Sequence, residues 1–174
     1  MKTLFSKLCI ASDHAGYDYK EKIKDFLIKN SVSVIDLGPN KPDSVDYPDY
    51  AKKVAKRVLL KRSHIGILVC GSGTGMAMSA NKFKGIRAAQ CFTKKNTILS
   101  RQHNDANIIC LGARMIKLKD ALNFITNTKN KYDLIIADRP DPVGAGKSLF
   151  KKKFYTNVKN ILNRNGFAIF QSGV

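Results

Sequence analysis

The chain has 174 residues and is 44% hydrophobic, which suits one well-packed domain with a small appendage and argues against general disorder. Its formal net charge is +18, yet the basic residues are spread over predicted helix surfaces, as at Lys20, Lys22 and Lys24, and only residues 151–153 form a run. This dispersion favours a solvated surface that attracts anionic small molecules over a nucleic-acid interface.

Neither a membrane segment nor a disulfide framework is expected. No apolar run reaches the length of a membrane span, and the first seven residues lack the apolar core of a signal peptide. The four cysteines show no C-x-x-C spacing and lie in apolar or strand-like stretches, so they are predicted to be reduced and mostly buried. We therefore expect a cytoplasmic protein.

Strands and helices alternate from the start of the chain. Apolar runs predict five strands, at residues 8–11, 32–36, 65–70, 86–91 and 107–111. Amphipathic spacing predicts the helices that join and follow them, at residues 17–29, 48–60, 76–81, 94–103 and 118–126. Unbroken apolar strands joined by helices are typical of parallel sheets covered on both faces. The predicted fold is therefore of the α/β class, a three-layer αβα, Rossmann-like fold with a mainly parallel five-stranded sheet.

A boundary is expected at about residue 129, where the polar stretch 126–131 interrupts the apolar periodicity. Beyond it we expect a strand, a helix and a final strand, at residues 132–137, 148–162 and 167–171. The sequence thus predicts two parts, a main domain at 1–129 and a C-terminal β-α-β appendage at 130–174. The appendage is too small to form a core alone.

The most informative segment is residues 70–75, with the sequence CGSGTG, which follows a buried strand and precedes a helix. Glycines allow backbone N–H groups to face a bound oxyanion, and the start of a helix favours both an anion and a thiolate. A nucleophile or base beside an anion-binding loop is therefore predicted. A dinucleotide loop is disfavoured because no acidic residue stands at the required distance after a first strand.

Further motifs occur in a characteristic order around this loop. They are SDHAG at 12–16, DYP at 46–48, SANK at 79–82, SRQHNDAN at 100–107 and GAR at 112–114. With residues 70–75, this ordered set resembles the ribose-5-phosphate isomerase B family, which also includes galactose-6-phosphate isomerase subunits. The resemblance covers about residues 7–126. It implies a Rossmann-like sheet and an aldose–ketose isomerase that uses no metal and no cofactor.

The resemblance also implies roles for individual residues. Cys70 would be the base that moves a proton between C2 and C1 of the sugar, His103 would open the sugar ring, and Asp13 would act on a substrate hydroxyl. Ser72 would hydrogen-bond the reacting oxygens. The implied substrate-binding residues are His14, Tyr47, Gly71, Gly73, Gly75, Asn104 and Arg114, of which Arg114 would bind the phosphate.

Structural alternatives stay open for several of these residues. Cys70 could be a structural cysteine, Asp13 could cap the following helix, and Tyr47 could be a plain core tyrosine. His103 could simply end its helix. In the resembled family the residues matching His103 and Asn104 come from the neighbouring subunit, so the resemblance implies a homodimer or homotetramer with shared active sites.

The chain departs from the resembled family at its C-terminal end. The family's usual Gly-Gly-Arg-His stretch, and the arginine-bearing helix that completes the phosphate site and covers the partner subunit, are absent after residue 130. Residues 131–173 instead resemble a fragment of spermidine synthase, with Asp138 and Asp141 matching the acidic pair that engages the polyamine. A separate glycine-rich nucleoside-binding segment is missing, so a transferase is not expected. Residues 144–148, GAGKS, mimic the end of a P-loop, but Asp141 stands at its first glycine position and would repel phosphate.

The function predicted from the sequence is the interconversion of ribose 5-phosphate and ribulose 5-phosphate through an enediolate, in the non-oxidative branch of the pentose phosphate pathway. Two alternatives stay open. One is a hexose 6-phosphate isomerase of the galactose or allose type. The other is a catalytically impaired scaffold or a basic polyanion-binding protein that has lost the arginine helix. The expected partner is a small sugar phosphate, without a membrane or a nucleic acid.

Overall fold

The structure is a computed structural model that describes residues 7–60, 65–127, 132–137, 155 and 162–170. The chain divides into two units, residues 1–128 and 129–174. The first unit contains the resembled motifs. The assignment of the second unit to a spermidine-synthase-like fragment stays a prediction.

Five parallel strands form the sheet of the first unit, in the order β2-β1-β3-β5-β4. The strands are β1 (Lys7–Ser12), β2 (Ser33–Asp36), β3 (Ile65–Cys70), β4 (Ala88–Gln90) and β5 (Ile108–Gly112). The helices are α1 (Tyr17–Lys29), α2 (Tyr47–Leu60), α3 (Thr74–Ala80), α4 (Lys94–Gln102) and α5 (Leu118–Asn127). A parallel sheet with helices between its strands confirms the predicted α/β fold class.

The sheet separates two apolar clusters. One cluster joins α1 and α5 to the sheet and includes Ile23 and Phe124, and the other joins α2 and α3 and includes Val54 and Met76. All six residues of β3 are buried, as expected for a central strand covered on both faces. The three-layer arrangement follows from burying both faces of the sheet.

Some predicted element bounds shift by one to two residues at each end. The strand predicted at 86–91 is reduced to Ala88–Gln90, because the Arg87 amide donates to the Asn107 side chain at 2.8 Å rather than to a neighbouring strand. The helix predicted from residue 76 begins at Thr74, directly after the turn of the glycine loop. The strand predicted at 107–111 lies at Ile108–Gly112.

Lys20 departs from the expectation that the lysines lie on solvated helix surfaces. Its side chain is fully buried, and its Nζ donates to both carboxylate oxygens of Asp36, at 2.9 and 2.8 Å, and lies 2.7 Å from Glu21 Oε1. Lys24 Nζ donates to Asp36 Oδ2 at 2.8 Å. The sequence pattern missed this cluster because helical periodicity marks which face a residue occupies, and not whether a charged side chain on that face finds a buried partner.

The cluster shifts the pKa values of its carboxyl groups. Burial raises the pKa of the Asp36 carboxyl, but hydrogen bonds from Lys20, Lys24 and the Gly38 amide outweigh burial, and the net effect lowers it. Burial likewise raises the pKa of Glu21, but hydrogen bonds from the same two lysines outweigh burial, and the net effect again lowers the pKa. The folded state therefore favours both carboxylates in their charged form.

The second unit contains two described strands. β6 (Tyr132–Ala137) and β7 (Leu162–Phe170) pair in parallel, with a register shift between Tyr132 and Leu134. The prediction that the final strand starts at residue 167 and the preceding helix reaches 162 is wrong, because β7 already begins at Leu162. Asn165–Gly166 lies inside β7 at the register shift, since Tyr132 pairs with Leu162 but Leu134 pairs with Phe167.

Several predicted features lie outside the described residues. They are most of the helix at 148–162, Asp138 and Asp141, the P-loop-like residues 144–148, and the lysines at 151–153. Among the helices that the structure describes, none is long and apolar enough to cross a membrane.

We predict that Asp36→Asn lowers the free energy of unfolding near neutral pH by about 3 kcal/mol, because Lys20 loses a buried carboxylate partner. The folded-state pKa of Asp36 lies below its ordinary value of 3.8, so its stabilisation is complete above that pH and is lost as the pH falls further. The difference in the free energy of unfolding between the wild type and the variant should therefore become smaller as the pH falls. Chemical unfolding at a series of pH values measures this difference.

Asp25→Asn is the matched control for this prediction. Asp25 is an exposed carboxylate on the same helix, α1. We expect no comparable loss of stability in that variant. Equal stability of the Asp36→Asn variant and the wild type at neutral pH, or a gap independent of pH, would contradict the role assigned to the cluster.

Candidate active site

A cavity of about 390 Å³ lies where the carboxyl ends of β1 and β3 and the loop after β5 meet. Ligand sites of open parallel sheets form at this edge, because the loops that follow the strands converge there. The cavity contains most of the predicted site residues. It is lined by Asp13, His14, Ala15, Tyr47, Cys70, Gly71, Ser72, Gly75, Arg114 and Met115.

Cys70 is the last residue of β3 and its side chain reaches the cavity while staying 5% exposed. The Gly73 amide donates a hydrogen bond to Cys70 Sγ at 3.0 Å. Gly73 adopts a φ of 86°, which favours glycine, and α3 begins at the next residue. The turn therefore places a backbone hydrogen-bond donor on the sulfur.

The loop that carries Ser72 is fixed from the neighbouring strands. Gln90 Nε2 donates to the Ser72 carbonyl oxygen at 3.0 Å and to Thr74 Oγ1 at 2.9 Å. A Cβ at Gly112 would stand 2.6 Å from the same carbonyl oxygen. Only glycine at position 112 therefore allows β5 to lie this close to the Ser72 backbone. Gln90 is not among the residues predicted for the site, because its partners Ser72 and Thr74 are distant in sequence.

Asp13 combines a capping bond with a place in the cavity. Its Oδ1 accepts a hydrogen bond from the Gly16 amide at 2.9 Å and caps a short 3-10 turn that precedes α1. Its side chain is buried and lines the cavity. His14 follows on the exposed side, and its Nδ1 accepts a hydrogen bond from the Val45 amide at 3.4 Å. The capping alternative for Asp13 is thus realised without removing Asp13 from the site.

Tyr47 and Arg114 lie over the glycine loop. Ring atoms of Tyr47 stand 3.0 Å from the position that a Gly75 Cβ would take, and the residue as a whole is 41% exposed. The Arg114 amide donates to the Gly71 carbonyl oxygen at 3.0 Å, and its guanidinium Nη1 lies 3.5 Å from a Cβ position at Gly71. Met115, which is 71% exposed and is not among the predicted site residues, adds an apolar side chain to the lining of the cavity.

The other three thiols are more deeply buried. Burial raises the pKa of Cys9 to about 11, and burial also raises the pKa values of Cys91 and Cys110. All four cysteines are free. Cys70 is the one thiol of the four that lines the cavity.

His103 and Asn104 are not in this cavity. They follow α4 and are exposed. Asn107, three residues further on, accepts a hydrogen bond from the Gly66 amide at 3.0 Å, near the amino end of β3, whereas Cys70 is at its carboxyl end. The segment that carries His103 and Asn104 therefore lies at the amino ends of the strands, and the loop of Cys70 lies at their carboxyl ends, so the two are at opposite edges of the sheet. His64 lies outside the described residues.

A second cavity, of about 500 Å³, lies at the amino ends of the strands, beside the loop that follows His103. Arg87 Nη2 lies 2.6 Å from Asp105 Oδ2, and Arg87 Nε donates to the Asp105 carbonyl oxygen at 2.8 Å. Asp105 has a φ of 46°. The arginine therefore holds the turn that directly follows His103 and Asn104. Within the described ranges, no group of three or more His, Cys, Asp or Glu side chains is placed to hold a metal ion.

Two family models match the chain. The model described as Ribose/Galactose Isomerase matches residues 8–131. The model described as Spermine/spermidine synthase domain matches residues 101–174, overlaps the first match and covers less than half of the chain. The resemblance of the C-terminal part to spermidine synthase therefore stays a prediction.

Relatives of known description agree with the first model. A putative sugar phosphate isomerase of Rickettsia bellii is 45% identical over 118 residues, which cover 68% of this chain and 82% of the relative. Ribose-5-phosphate isomerase B of Escherichia coli is 42% identical over 113 residues, which cover 65% of this chain and 76% of the relative.

Solved structures are similar in fold as well as in sequence. Ribose-5-phosphate isomerase B of Clostridium thermocellum matches with a TM-score of 0.69 and 38% identity, covering 88% of this chain and 98% of that structure. Ribose-5-phosphate isomerase B of Mycoplasma genitalium with bound ribulose-5-phosphate matches with a TM-score of 0.69 and 33% identity, covering 89% of this chain and 97% of that structure.

We predict that iodoacetamide modifies Cys70 at least about tenfold faster than the other cysteines of the folded chain, because Cys70 lines this cavity, whereas burial raises the pKa values of the other three thiols. Peptide mass spectrometry after brief labelling measures the relative rates. Labelling in denaturant is the control and should modify all four cysteines. Equal labelling of Cys9 or Cys110 in the folded chain would contradict the burial described above.

Proposed function

The chain belongs to the ribose/galactose isomerase family, and we propose that it interconverts ribose 5-phosphate and ribulose 5-phosphate through an enediolate. The assignment to the sugar-phosphate isomerases is supported by the relatives in Rickettsia bellii and Escherichia coli. The choice of a pentose is supported by the structural neighbours that are ribose-5-phosphate isomerases B. The observation that carries the proposal is the Cys70 thiol in the cavity, hydrogen-bonded by the Gly73 amide.

In the proposed mechanism Cys70 acts as the base. Its thiolate removes the proton from C2 of the open-chain aldose, and the electron pair of that bond forms the C1–C2 double bond of an enediolate. The thiol then returns the proton to C1, while the hydroxyl proton on O2 moves to O1, which gives the ketose. Substrate and product are isomers, so these reaction steps consume no other reactant.

The enediolate needs hydrogen-bond donors at its developing oxyanion. The Gly73 amide is already committed to Cys70 Sγ, so we assign it to the base rather than to the substrate, in contrast to the substrate-binding role expected from the sequence. Ser72 is exposed and lines the cavity beside Cys70. We therefore propose that the Ser72 hydroxyl and the amides of Gly71 and Gly75 donate to the sugar oxygens.

We propose that the phosphate binds at Arg114 and His14. The guanidinium group of Arg114 is exposed beside the glycine loop, and guanidinium binds phosphate through paired hydrogen bonds. Asp13 and Tyr47, which line the cavity, would contact the sugar hydroxyls. A net charge of +18 assists the approach of an anionic substrate.

We further propose that His103 and Asn104 act in the cavity of a neighbouring copy. Their position at the opposite edge of the sheet supports this proposal, because they cannot reach the Cys70 of their own chain without unfolding the sheet between them. The working enzyme would then be a homodimer or a homotetramer. A cytoplasmic location is part of the proposal and is supported by the four free cysteines.

We predict that Cys70→Ala lowers kcat for ribose 5-phosphate about 10³-fold, because it removes the base that transfers the proton. A coupled assay that follows ribulose 5-phosphate measures the rate. The control is Cys9→Ala, which removes a buried thiol from β1, outside the cavity, and should retain activity.

The outcomes of this assay separate the alternatives. Equal activity of the wild type and the Cys70→Ala variant would remove Cys70 from the mechanism. Activity of the wild type on galactose 6-phosphate but not on ribose 5-phosphate would replace the pentose by a hexose. Absence of activity on both sugars would favour the impaired scaffold or the basic binding protein.

We predict that mixing the Cys70→Ala and His103→Ala variants restores activity that neither has alone. A heterodimer would contain one cavity with both residues intact and one with neither, so a statistical mixture of dimers should reach about a quarter of the wild-type rate. Subunits are exchanged in mild denaturant, and the mixture is assayed after its removal. No gain over the separate variants would show that His103 does not act across an interface.

A further inference from the structure

A buried ammonium group anchors the segment between β2 and α2. Lys20 Nζ donates to the carbonyl oxygen of Pro39 at 2.9 Å in addition to its contacts with Asp36 and Glu21. The side chain is fully buried. Removing an ammonium ion from water is unfavourable unless each of its hydrogens finds an acceptor, and here carboxylates and a backbone carbonyl provide them.

The same cluster fixes the first residues of this segment, which spans residues 37–46. Asp36 Oδ1 accepts a hydrogen bond from the Gly38 amide at 2.9 Å. The Gly38 carbonyl oxygen accepts a hydrogen bond from the Ser12 amide at 3.0 Å, directly before Asp13. Lys20, Asp36 and the end of β1 thus hold two consecutive residues of the segment, Gly38 and Pro39.

The far end of the segment reaches the substrate cavity. The Val45 amide donates to His14 Nδ1 at 3.4 Å. Two residues later Tyr47 lines the cavity, with its ring against Gly75. Segment 37–46 therefore connects the buried cluster to His14 and Tyr47, which form one wall of the cavity. The loop of Cys70 is held by different bonds, from Gln90 and Gly73.

We propose that Lys20 is a positioning residue for the substrate cavity, because it fixes the segment that aligns His14 and Tyr47. The inference rests on the proposed function, because the expected kinetic effects follow from the roles proposed for His14, Tyr47 and Cys70. Since His14 and Tyr47 are proposed to hold the substrate while Cys70 performs the proton transfer, loss of Lys20 should weaken substrate binding and leave the chemical step nearly intact.

Lys20→Met tests this proposal. The side chain keeps a similar length and loses its charge and its three donors. We expect faster hydrogen–deuterium exchange in peptides that cover residues 37–47, together with a rise in KM of about tenfold and a change in kcat of less than about threefold. A merely structural role would instead lower stability without this separation of KM from kcat.

Lys24→Met is the matched control. Lys24 shares the partners Asp36 and Glu21 with Lys20, and among the described residues it makes no hydrogen bond to segment 37–46. Its loss should reduce stability without changing KM or the exchange of residues 37–47. Equal effects of the two substitutions, or an unchanged KM in the Lys20→Met variant, would overturn the proposal.

A milder variant decides the matter if the Lys20→Met chain fails to fold. Tyr17→Phe removes the hydroxyl that donates to the Asn40 carbonyl oxygen at 3.3 Å and leaves the buried cluster in place. Faster exchange of residues 37–47 together with a rise in KM of about two- to threefold would support the proposal. Faster exchange without a rise in KM would overturn it, because a loosened segment would then not disturb the alignment of His14 and Tyr47.

Failure of the proposed function can be distinguished from failure of the role proposed for Lys20. It would appear as a wild-type chain without turnover of any sugar phosphate tested. The exchange of residues 37–47 can be measured in such a chain, so a difference between the Lys20→Met and Lys24→Met variants would still decide whether Lys20 holds the segment.

Discussion

Hydrogen bonds to the carbonyl groups at the carboxyl end of β3 hold the candidate site together. The Val69 carbonyl oxygen accepts from the Asp13 amide at 3.1 Å, and the Cys70 carbonyl oxygen accepts from the Ala113 amide at 2.8 Å. The ladder continues beyond the strand, since the Gly71 carbonyl oxygen accepts from the Arg114 amide at 3.0 Å. Because β3 lies between β1 and β5, these bonds place the proposed base, the aspartate and the proposed phosphate ligand side by side.

Parallel pairing of this kind was predictable, and so was most of the site. Apolar runs joined by helical patterns predict a parallel sheet, and residues that follow its strands must then meet at one edge. The cluster of Lys20 and Asp36 was not predictable, because it joins α1 to the end of β2 and depends on how closely the two elements pack. Gln90 escaped for a similar reason. Its partners, Ser72 and Thr74, are more than fifteen residues away in sequence, and local patterns do not report such pairs.

The net charge of the sequence does not show which charged side chains can attract a ligand in the folded chain. Lys20 counts toward the net charge of +18 but is buried against Asp36 and Glu21, and Arg87 is paired with Asp105. Such paired charges shape loops and contribute little to the field that an anionic ligand meets. Arg114 is the one arginine or lysine among the residues that line the cavity, and it is exposed. Position thus matters more than total charge for the proposed phosphate site.

The geometry of the sheet limits what one copy of the chain can assemble. Gly66 and Cys70 are four residues apart along β3, or about 13 Å, and the turn after His103 is tied to the Gly66 end. A helix that follows a strand returns to the opposite edge, so α4 necessarily delivers His103 and Asn104 away from the Cys70 cavity. If these two residues take part in the reaction, a second copy must supply them. The contacts between copies would then be part of the catalytic apparatus, and Arg87, by fixing the turn at Asp105, would support chemistry in the cavity of the neighbouring copy.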